Sequence, residues 1–259
     1  MELQLLIGLI GAVTGFLSGL LGIGGGIIMA PLLLYVPVVL GFPPLSMHTV
    51  AGLTIVQGFV ACISGGITHG RSPFFSTRLA RWMGGVLFVF SFVGGAGSRA
   101  LPPTFLLLVF ALMAFAAALL MLFKLEREEE APDTDAFVFS RLRAVLVAAG
   151  VGFFGGLVGQ GGSFILIPLM VSFMGVPTRI AVGTNLAIVF LSTGAAFLGK
   201  AVTAQIDWIL ALPIVLTVLP FAFVGARVSR SVPVDNLKII LAVCIAFAAF
   251  RIGFTAFGF

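Results

Sequence analysis

The stretch GLLGIGGGIIMAPLLL, residues 19–34, places five glycines and a proline inside a segment that is otherwise apolar enough to cross a membrane. Glycine in a helix interior costs about 1 kcal/mol relative to alanine, and an unpaired backbone amide in hydrocarbon costs several kcal/mol more. Irregular backbone at such depth is tolerated only where protein or a watery cavity covers it. The stretch therefore predicts an interrupted membrane helix with an anionic ligand against the interruption.

The composition predicts an integral membrane protein built from helices. Sixty per cent of the 259 residues are hydrophobic and 9% are charged, against about 25% charged residues in soluble domains. The apolar runs are long and continuous, which excludes the short alternating strands of a membrane β-barrel. The net charge of +5 comes from basic residues scattered through short loops, a pattern that records membrane orientation and excludes nucleic acid as the partner.

The chain reads as eight apolar segments around one hydrophilic linker. The N-terminus MELQLLIGLI has no basic region, so it predicts a first membrane segment and not a cleaved signal. Cys62 and Cys244 stand alone in apolar runs and are interpreted as core residues. A first repeat at 1–123, an acidic linker at 124–143 and a second repeat at 144–259 are the predicted units. The segments lie at 3–37, 46–68, 80–98, 104–123, 144–173, 178–198, 207–226 and 236–257.

The two halves carry the same pattern, which indicates an internal duplication. GFLSGLLGIGGGIIMAPL (15–32) aligns without a gap with GFFGGLVGQGGSFILIPL (152–169), 137 positions later. Beyond the break the offset is 131, which pairs Gly52-Leu53-Thr54 with Gly183-Thr184-Asn185 and His69 with Lys200. Further on, Arg99 and Pro102 pair with Arg230 and Pro233.

The distribution of Lys and Arg decides between parallel and inverted halves. If each broken segment crosses the membrane once, the fourteen basic residues divide nine to five between the two sides. If each segment instead folds back at its glycines, they divide eleven to three, with only Arg99, Lys200 and Arg251 on the minority side. The positive-inside rule favours the second arrangement. The predicted fold is therefore an all-α membrane protein of two inverted repeats, each a glycine-broken hairpin followed by about three transmembrane helices.

The two glycine breaks are the candidate binding site. A helix that restarts after such a break directs unpaired amides and its positive dipole end at one point, which suits an anion. In inverted halves the two breaks can meet near the midplane, where transporters bind their substrates. The alternative is that the glycines only let helices cross closely. GIGGGI lacks the spacing and the strand context of a dinucleotide fingerprint, so that reading is rejected.

Several polar side chains lie in or beside the apolar segments. Thr54 with Gln57, and Thr184 with Asn185, occupy matching places in the two halves and could hold an oxyanion, although Gln57 is expected to bond to neighbouring helices. His48, His69 and Lys200 are candidates for a proton relay or a pathway mouth, and Lys200, with Arg99 and Arg230, is expected to snorkel to the interface. Asp207 is expected to start a helix. No segment combines residues as a metal or catalytic site requires.

GLLGIGGGIIMAPLL, GLVGQGGSFILIPLM and VPTRIAVGTNLAIV (176–189) together resemble the TauE/SafE family of sulfite exporters over nearly the whole chain. The resemblance implies a bacterial-type permease of the cytoplasmic membrane with a cytoplasmic linker, acting on sulfur-containing anions such as sulfite, sulfonates and sulfoacetate. Its motif residues carry over to Gly22, Gly24–Gly26, Gly159, Gly161–Gly162, Pro31, Pro168 and Gly183-Thr184-Asn185. The first half departs at Gly52-Leu53-Thr54, which suggests that the second half supplies more of the polar contacts.

The expected function is secondary transport, with export of sulfite or an organosulfonate and no cofactor, metal or enzymatic activity. Two alternatives stay open: a proton-coupled uptake permease for sulfonate or carboxylate anions, and a structural or partner subunit that transports nothing. The lipid bilayer and a small sulfur oxyanion are the expected partners, and a homodimer stays open. The predicted substrate-binding residues are Gly24, Gly25, Gly26, Ile27, Thr54, Gln160, Gly161, Gly162, Ser163, Phe164, Thr184 and Asn185.

Overall fold

The computed structural model describes residues 1–21, 26–69, 74–122 and 139–229, and every regular element in these ranges is helical. The predicted segments at 46–68, 104–123 and 207–226 match helices to within a few residues. A short 3₁₀ turn, Ser98–Ala100, follows the fourth helix. The helices are α1 (Glu2–Leu21), α2 (Gly26–Val39), α3 (Met47–His69), α4 (Thr77–Gly97), α5 (Pro103–Leu122), α6 (Arg141–Leu157), α7 (Ser163–Ser172), α8 (Thr178–Val202) and α9 (Trp208–Ser229).

Some predictions fall outside the described residues. These are the first break at Gly22–Gly25, most of the linker at 124–143, the segment at 236–257, and Arg71, Arg230, Arg251 and Cys244. The backbone of His69 is described, but its side chain is not.

Six of the described helices are long and apolar enough to cross a membrane. Their outward faces carry large apolar side chains: Leu5 and Leu9 on α1 are 70% and 64% exposed, and Leu212 and Leu216 on α9 are 60% and 65% exposed. Continuous apolar surface of this kind is stable against lipid and unstable against water. The predicted class, a multi-pass α-helical membrane protein, is confirmed.

The second long broken segment is divided into two helices, as predicted: α6 ends at Leu157 and α7 begins at Ser163. In the first, α1 is described to Leu21 and α2 from Gly26, and the predicted break between them lies outside the described residues. The predicted start of α9 is also confirmed, because Asp207 Oδ1 accepts hydrogen bonds from the amides of Ile209 and Leu210 at 3.0 and 3.2 Å.

Glycines allow the two halves to interlock. On α1, a methyl group at Gly15 would lie 2.9 Å from Val218 Cα of α9, and Gly11 packs against the same helix. On α6, a methyl group at Gly156 would lie 2.5 Å from the Ser91 carbonyl oxygen of α4. Small residues thus let backbones approach closely, as membrane helix pairs require. In each pair the partner helix comes from the other half of the chain.

The contacts between helices fix their relative directions. The amide of Ser76, just before α4, donates to Thr184 in the second turn of α8 at 3.0 Å. At the far ends of the same two helices, Lys200 Nζ donates to Ser98 Oγ at 2.6 Å. Helices α4 and α8 therefore run parallel. His48 at the start of α3 contacts the Ser98 carbonyl, where α4 and α8 end. Further along α3, Phe59 stacks on Phe190 in the middle of α8, with ring centroids 5.6 Å apart, so α3 runs antiparallel to both helices.

Candidate functional site

The second break is a turn that glycine makes possible. Gly159, Gly161 and Gly162 have φ angles of 74°, 60° and 71°, in the left-handed region that costs other residues about 1–2 kcal/mol. The amides of Gln160 and Gly161 both donate to the Gly155 carbonyl, at 2.8 and 3.1 Å. The turn therefore satisfies part of the exposed carbonyl end of α6.

The chain turns back against α6 at this point. Gly162 lies directly against the backbone of Gly155 and Val151, so neither Gly155 nor Gly162 has room for a side chain. The α7 helix begins immediately afterwards, at Ser163.

Three helices hold the turn in place. Ser192 Oγ of α8 donates to the Gly161 carbonyl at 2.8 Å, and Ser91 Oγ of α4 lies 2.7 Å from Ser192 Oγ. From α3, the Ala51 carbonyl lies against Gly159 so closely that a methyl group there would overlap it. The packing role of the glycines is therefore real, and it coexists with the open backbone that the break creates.

The start of α7 offers free backbone donors. The amides of Ile165 and Leu166 donate to the Gly162 carbonyl, both at 3.2 Å, and the Ser163 amide donates to the Gln160 carbonyl at 3.4 Å. The amides of Gly162 and Phe164 donate to no acceptor in the described part of the chain. These are the unsatisfied groups expected at a helix N-terminus.

The start of α2 meets the second break. Gln160 Nε2 donates to the Gly26 carbonyl at 2.7 Å, and a methyl group at Gly26 would lie 2.8 Å from Gln160 Oε1. Ile27, the next residue, is buried. Because Gly26 and Gln160 come from different halves, this contact brings part of the first predicted site against the second; Gly24 and Gly25 lie outside the described residues.

Buried amide side chains with unpaired atoms lie in the break and on the helices that touch it. Gln57 is 0%, Asn185 1% and Gln160 3% exposed. Neither polar atom of Gln57 has a hydrogen-bond partner among the described residues, and the same holds for Gln160 Oε1 and Asn185 Oδ1. An unsatisfied buried polar atom costs about 1–3 kcal/mol, so these groups are arranged for something other than stability.

Helical spacing relates two of these amides to the break. Asn185 lies seven residues, or about two turns, before Ser192 on the same face of α8. On α3, Gln57 follows Ala51 by six residues, less than two turns. Both helices touch the turn directly, through Ser192 and Ala51.

The expectation for Gln57 was wrong, because it forms no hydrogen bond to a neighbouring helix within the described residues. The sequence did contain a sign of this: Gln57 is an amide in the middle of an apolar run, and the matched position in the second half is the apolar Ile188.

The remaining predicted residues are less available to a ligand. Thr184 Oγ1 accepts from the Ser76 amide, and Thr54 Oγ1 donates to the Ala51 carbonyl of its own helix at 3.2 Å. Phe164 is buried against Phe110 of α5, with ring centroids 6.4 Å apart. Ser163 is buried at the first position of α7 and makes no side-chain hydrogen bond with other described residues.

A second polar cluster lies where α4 and α8 end. Lys200 is fully buried, and its ammonium donates to Ser98 Oγ at 2.6 Å and to the Leu157 carbonyl at 3.2 Å. The prediction that Lys200 snorkels to the interface was therefore wrong; these two acceptors turn the side chain inward. His48 Nε2 lies 3.1 Å from the Ser98 carbonyl, and Gln205 Oε1 accepts from Ser98 Oγ at 2.7 Å.

The described residues contain no group of three or more His, Cys, Asp or Glu side chains that could hold a metal ion. Cys62 is a buried core residue, as predicted.

These features define a class: a multi-pass α-helical membrane protein with a glycine-made helix break and unpaired polar groups in its interior. The model of the sulfite exporter TauE/SafE family matches residues 7–252. The chain belongs to this family, so the resemblance noted from the glycine breaks is confirmed.

Curated relatives agree with the family. The chain is similar to the probable membrane transporter protein YdhB of Bacillus subtilis (strain 168), with 26% identity over 239 residues, which cover 90% of this chain and 94% of that protein. It is 21% identical over 253 residues to YunE, another probable membrane transporter protein of the same bacterium, covering 90% and 91%. A probable membrane transporter protein of Xylella fastidiosa is 28% identical over 211 residues, covering 80% and 77%. No solved structure matches the chain significantly.

Proposed function

We propose that this protein is a secondary transporter that exports a small sulfur oxyanion, sulfite or an organosulfonate, through a site formed where the two glycine breaks meet. One observation carries the proposal. Gln57, Gln160 and Asn185 are buried amide side chains with unpaired polar atoms, and they lie on the elements that form or hold the second break. A bound oxyanion would satisfy them.

The donors of this site suit a weakly basic anion. The Gly162 and Phe164 amides and Gln57 Nε2 are donors without partners among the described residues, and the positive end of the α7 dipole adds to them. Amide donors bind an anion less tightly than a buried arginine would, which favours release. The unpaired oxygens of Gln160 and Asn185 would accept a hydrogen bond from the hydroxyl of a hydrogen sulfite ion, and the Asn185 amide could instead rotate to present its NH₂ group.

Inverted halves are part of the proposal. Two features support them: matched helices α3 and α8 run in opposite directions, and the basic residues divide eleven to three when both broken segments fold back. In such a fold the start of α2 and the start of α7 would approach the site from opposite sides of the membrane. We place the side with more basic residues, and the linker at 124–143, in the cytoplasm of a bacterial-type cell.

The driving force for export would be the membrane voltage acting on the charge of the substrate. The sequence carries no nucleotide-binding motif, and an anion that leaves a negative-inside cell gains about 2.3 kcal/mol per charge for each 100 mV. Export would therefore run downhill without a coupling ion.

The test begins with ligand binding to purified protein. Sulfite, sulfate, thiosulfate, taurine and sulfoacetate are titrated while thermal unfolding is followed, since a ligand that binds only the folded state raises the melting temperature. At least one oxyanion should stabilise the wild type, and Asn185→Ala should weaken its binding about tenfold or more. Thr14→Ala is the control, because Thr14 is buried but bonds only within α1, to the Ile10 and Gly11 carbonyls.

Reconstituted vesicles separate the three functions. Efflux driven by voltage alone supports the export proposal, whereas dependence on an imposed pH gradient would favour proton-coupled uptake. If the wild type neither binds nor moves any of these anions, the transport proposal is wrong and a structural or partner role gains support.

A further inference from the structure

The amine of Lys200 is buried and has no acidic partner in the described part of the chain. Only two of the nine acidic residues, Glu2 and Asp207, lie in that part, and both are exposed. Asp207 caps α9 through the Ile209 and Leu210 amides. The acceptors of Lys200 are instead a hydroxyl and a backbone carbonyl, Ser98 Oγ and Leu157 O.

A buried cation without a counter-charge is expensive. The effective cost is several kcal/mol even after the surroundings relax, and two neutral acceptors offset only part of it. Arg99, a described basic residue at the same end of α4, is exposed and donates to the Thr203 carbonyl. Among the described residues, the buried amine of Lys200 therefore has only neutral acceptors, Ser98 Oγ and Leu157 O.

The Leu157 carbonyl places this charge at the second break. Leu157 is the last residue of α6, and the unpaired amides of Gly162 and Phe164 follow within seven residues. The hairpin thus sets the negative carbonyl end of α6 beside the positive amide end of α7, and their fields on a bound anion oppose each other. An ammonium bonded to the carbonyl end of α6 offsets the repulsion between that end and a bound anion.

We infer that Lys200 supplies the positive charge that makes the second break select anions. It acts from its place at the carbonyl end of α6, where it stays bonded to Ser98 and Leu157, and does not move to contact the anion. This inference rests on the proposed function and adds the origin of its charge selectivity. In the first half the repeat places His69 at the position of Lys200, so the inference applies to the second break alone.

The test compares ligands of different charge in variants of one residue. Purified wild type, Lys200→Met and Lys200→Arg are titrated with methanesulfonate, a monoanion, and with sulfate, a dianion, at constant ionic strength. Because the Coulomb energy grows with ligand charge, Lys200→Met should weaken methanesulfonate about tenfold and sulfate about a hundredfold. Lys200→Arg should stay within about threefold of the wild type for both, because it keeps the charge.

Ser98→Ala is the matched control, since it removes the hydroxyl partner of Lys200 and keeps the charge. If Lys200 only holds the helix ends together, Ser98→Ala and Lys200→Met should weaken both anions to the same degree, and the inference is overturned. It is also overturned if Lys200→Met binds both as the wild type does. If Lys200→Met does not fold, Lys200→Gln replaces it, with the same expectation.

The wild-type titration distinguishes the two proposals. A wild type that binds these anions, with a loss of affinity in Lys200→Met that is equal for methanesulfonate and sulfate, overturns only the role of Lys200. A wild type that binds no oxyanion overturns the proposed function and this inference together.

Discussion

Gln57 shows how a single residue can oppose stability inside a membrane protein. It lies on α3 among residues that are all buried from Ala51 to Gly58, and neither atom of its amide finds a partner in the described chain. Each unpaired buried group costs about 1–3 kcal/mol, so a leucine at this position would serve the folded state better. A buried residue that lowers the stability of the fold in this way indicates a binding site.

Replacing Gln57 with leucine should separate stability from binding. We expect Gln57→Leu to raise the free energy of unfolding by about 1–2 kcal/mol, because it removes two unpaired polar atoms and keeps the volume. The same change should reduce oxyanion-dependent stabilisation at least severalfold. Thermal unfolding in detergent, with and without the best-binding oxyanion, measures both quantities.

Thr14→Val is the control for this effect. Thr14 is as buried as Gln57, but its hydroxyl already donates to the Ile10 carbonyl at 2.8 Å. We expect little change in stability and none in anion binding. A Gln57→Leu protein that is less stable than the wild type would show that Gln57 has a structural partner.

Glycine at position 159 is required for two independent reasons. Its φ angle is 74°, and a methyl group would overlap the Ala51 carbonyl of α3. We expect Gly159→Ala to destabilise the protein by more than about 2 kcal/mol. Gly150→Ala in the same hairpin is the comparison, because a methyl group there meets no atom within 4 Å and alanine favours the helix by about 1 kcal/mol. Equal melting temperatures for the two variants would show that the turn is not formed as described.

At the scale of the helices, the halves are joined by glycine faces. Gly11, Gly15 and Gly19 of α1 lie on α9, and Gly152 and Gly156 of α6 lie on α4. The spacing of three or four residues puts each set on one face of its helix. Neither pair can separate without exposing closely packed backbone, so each broken segment is anchored to the other half.

The helices were predictable because membrane length and apolar composition leave few alternatives. The second break was predictable for the same reason, since a glycine cluster such as Gly159–Gly162 is costly in a continuous helix. The inward path of Lys200 was not, because it depends on Ser98 and the Leu157 carbonyl, which lie 102 and 43 residues away in the chain. Nor could the free state of Gln57 be predicted, since sequence alone does not show which acceptors surround it.

A disulfide can test the pairing of α1 with α9. A Cβ built on Gly8 lies 3.4 Å from Pro213 Cβ, close to the separation of about 3.5–4.5 Å found in disulfides. In a background with Cys62→Ala and Cys244→Ala, we expect Gly8→Cys with Pro213→Cys to form an intramolecular disulfide under mild oxidation. Mass spectrometry of the linked peptides detects it.

The pair Gly8→Cys with Val228→Cys serves as the negative control, because Val228 lies at the other end of α9. If this second pair forms the disulfide and the first does not, the two helices run antiparallel and the described packing is wrong.

At the scale of the whole molecule, α3 and α8 link the two ends of the protein. The start of α3 and the end of α8 meet through His48, Ser98 and Lys200, whereas the start of α8 contacts the start of α4 through Thr184 and Ser76. The hydrogen bonds around Ser98 therefore join α3, α4 and the end of α8 at one end of the described bundle.

The first residues of α4 and α9 test the inversion directly. Thr77 and Trp208 are separated by the repeat offset of 131 and both are exposed. Parallel repeats would put them on the same face of the membrane, whereas inverted repeats put them on opposite faces. With the positive-inside orientation, a membrane-impermeant maleimide added to intact cells should label Trp208→Cys and should label Thr77→Cys only after permeabilisation. Labelling of both from one side would eliminate the inverted fold and with it a site approached by α2 and α7 from opposite sides. Labelling in the reverse order would preserve the inversion and place the acidic linker outside the cell, which would make the charge distribution a poor guide to orientation in this chain.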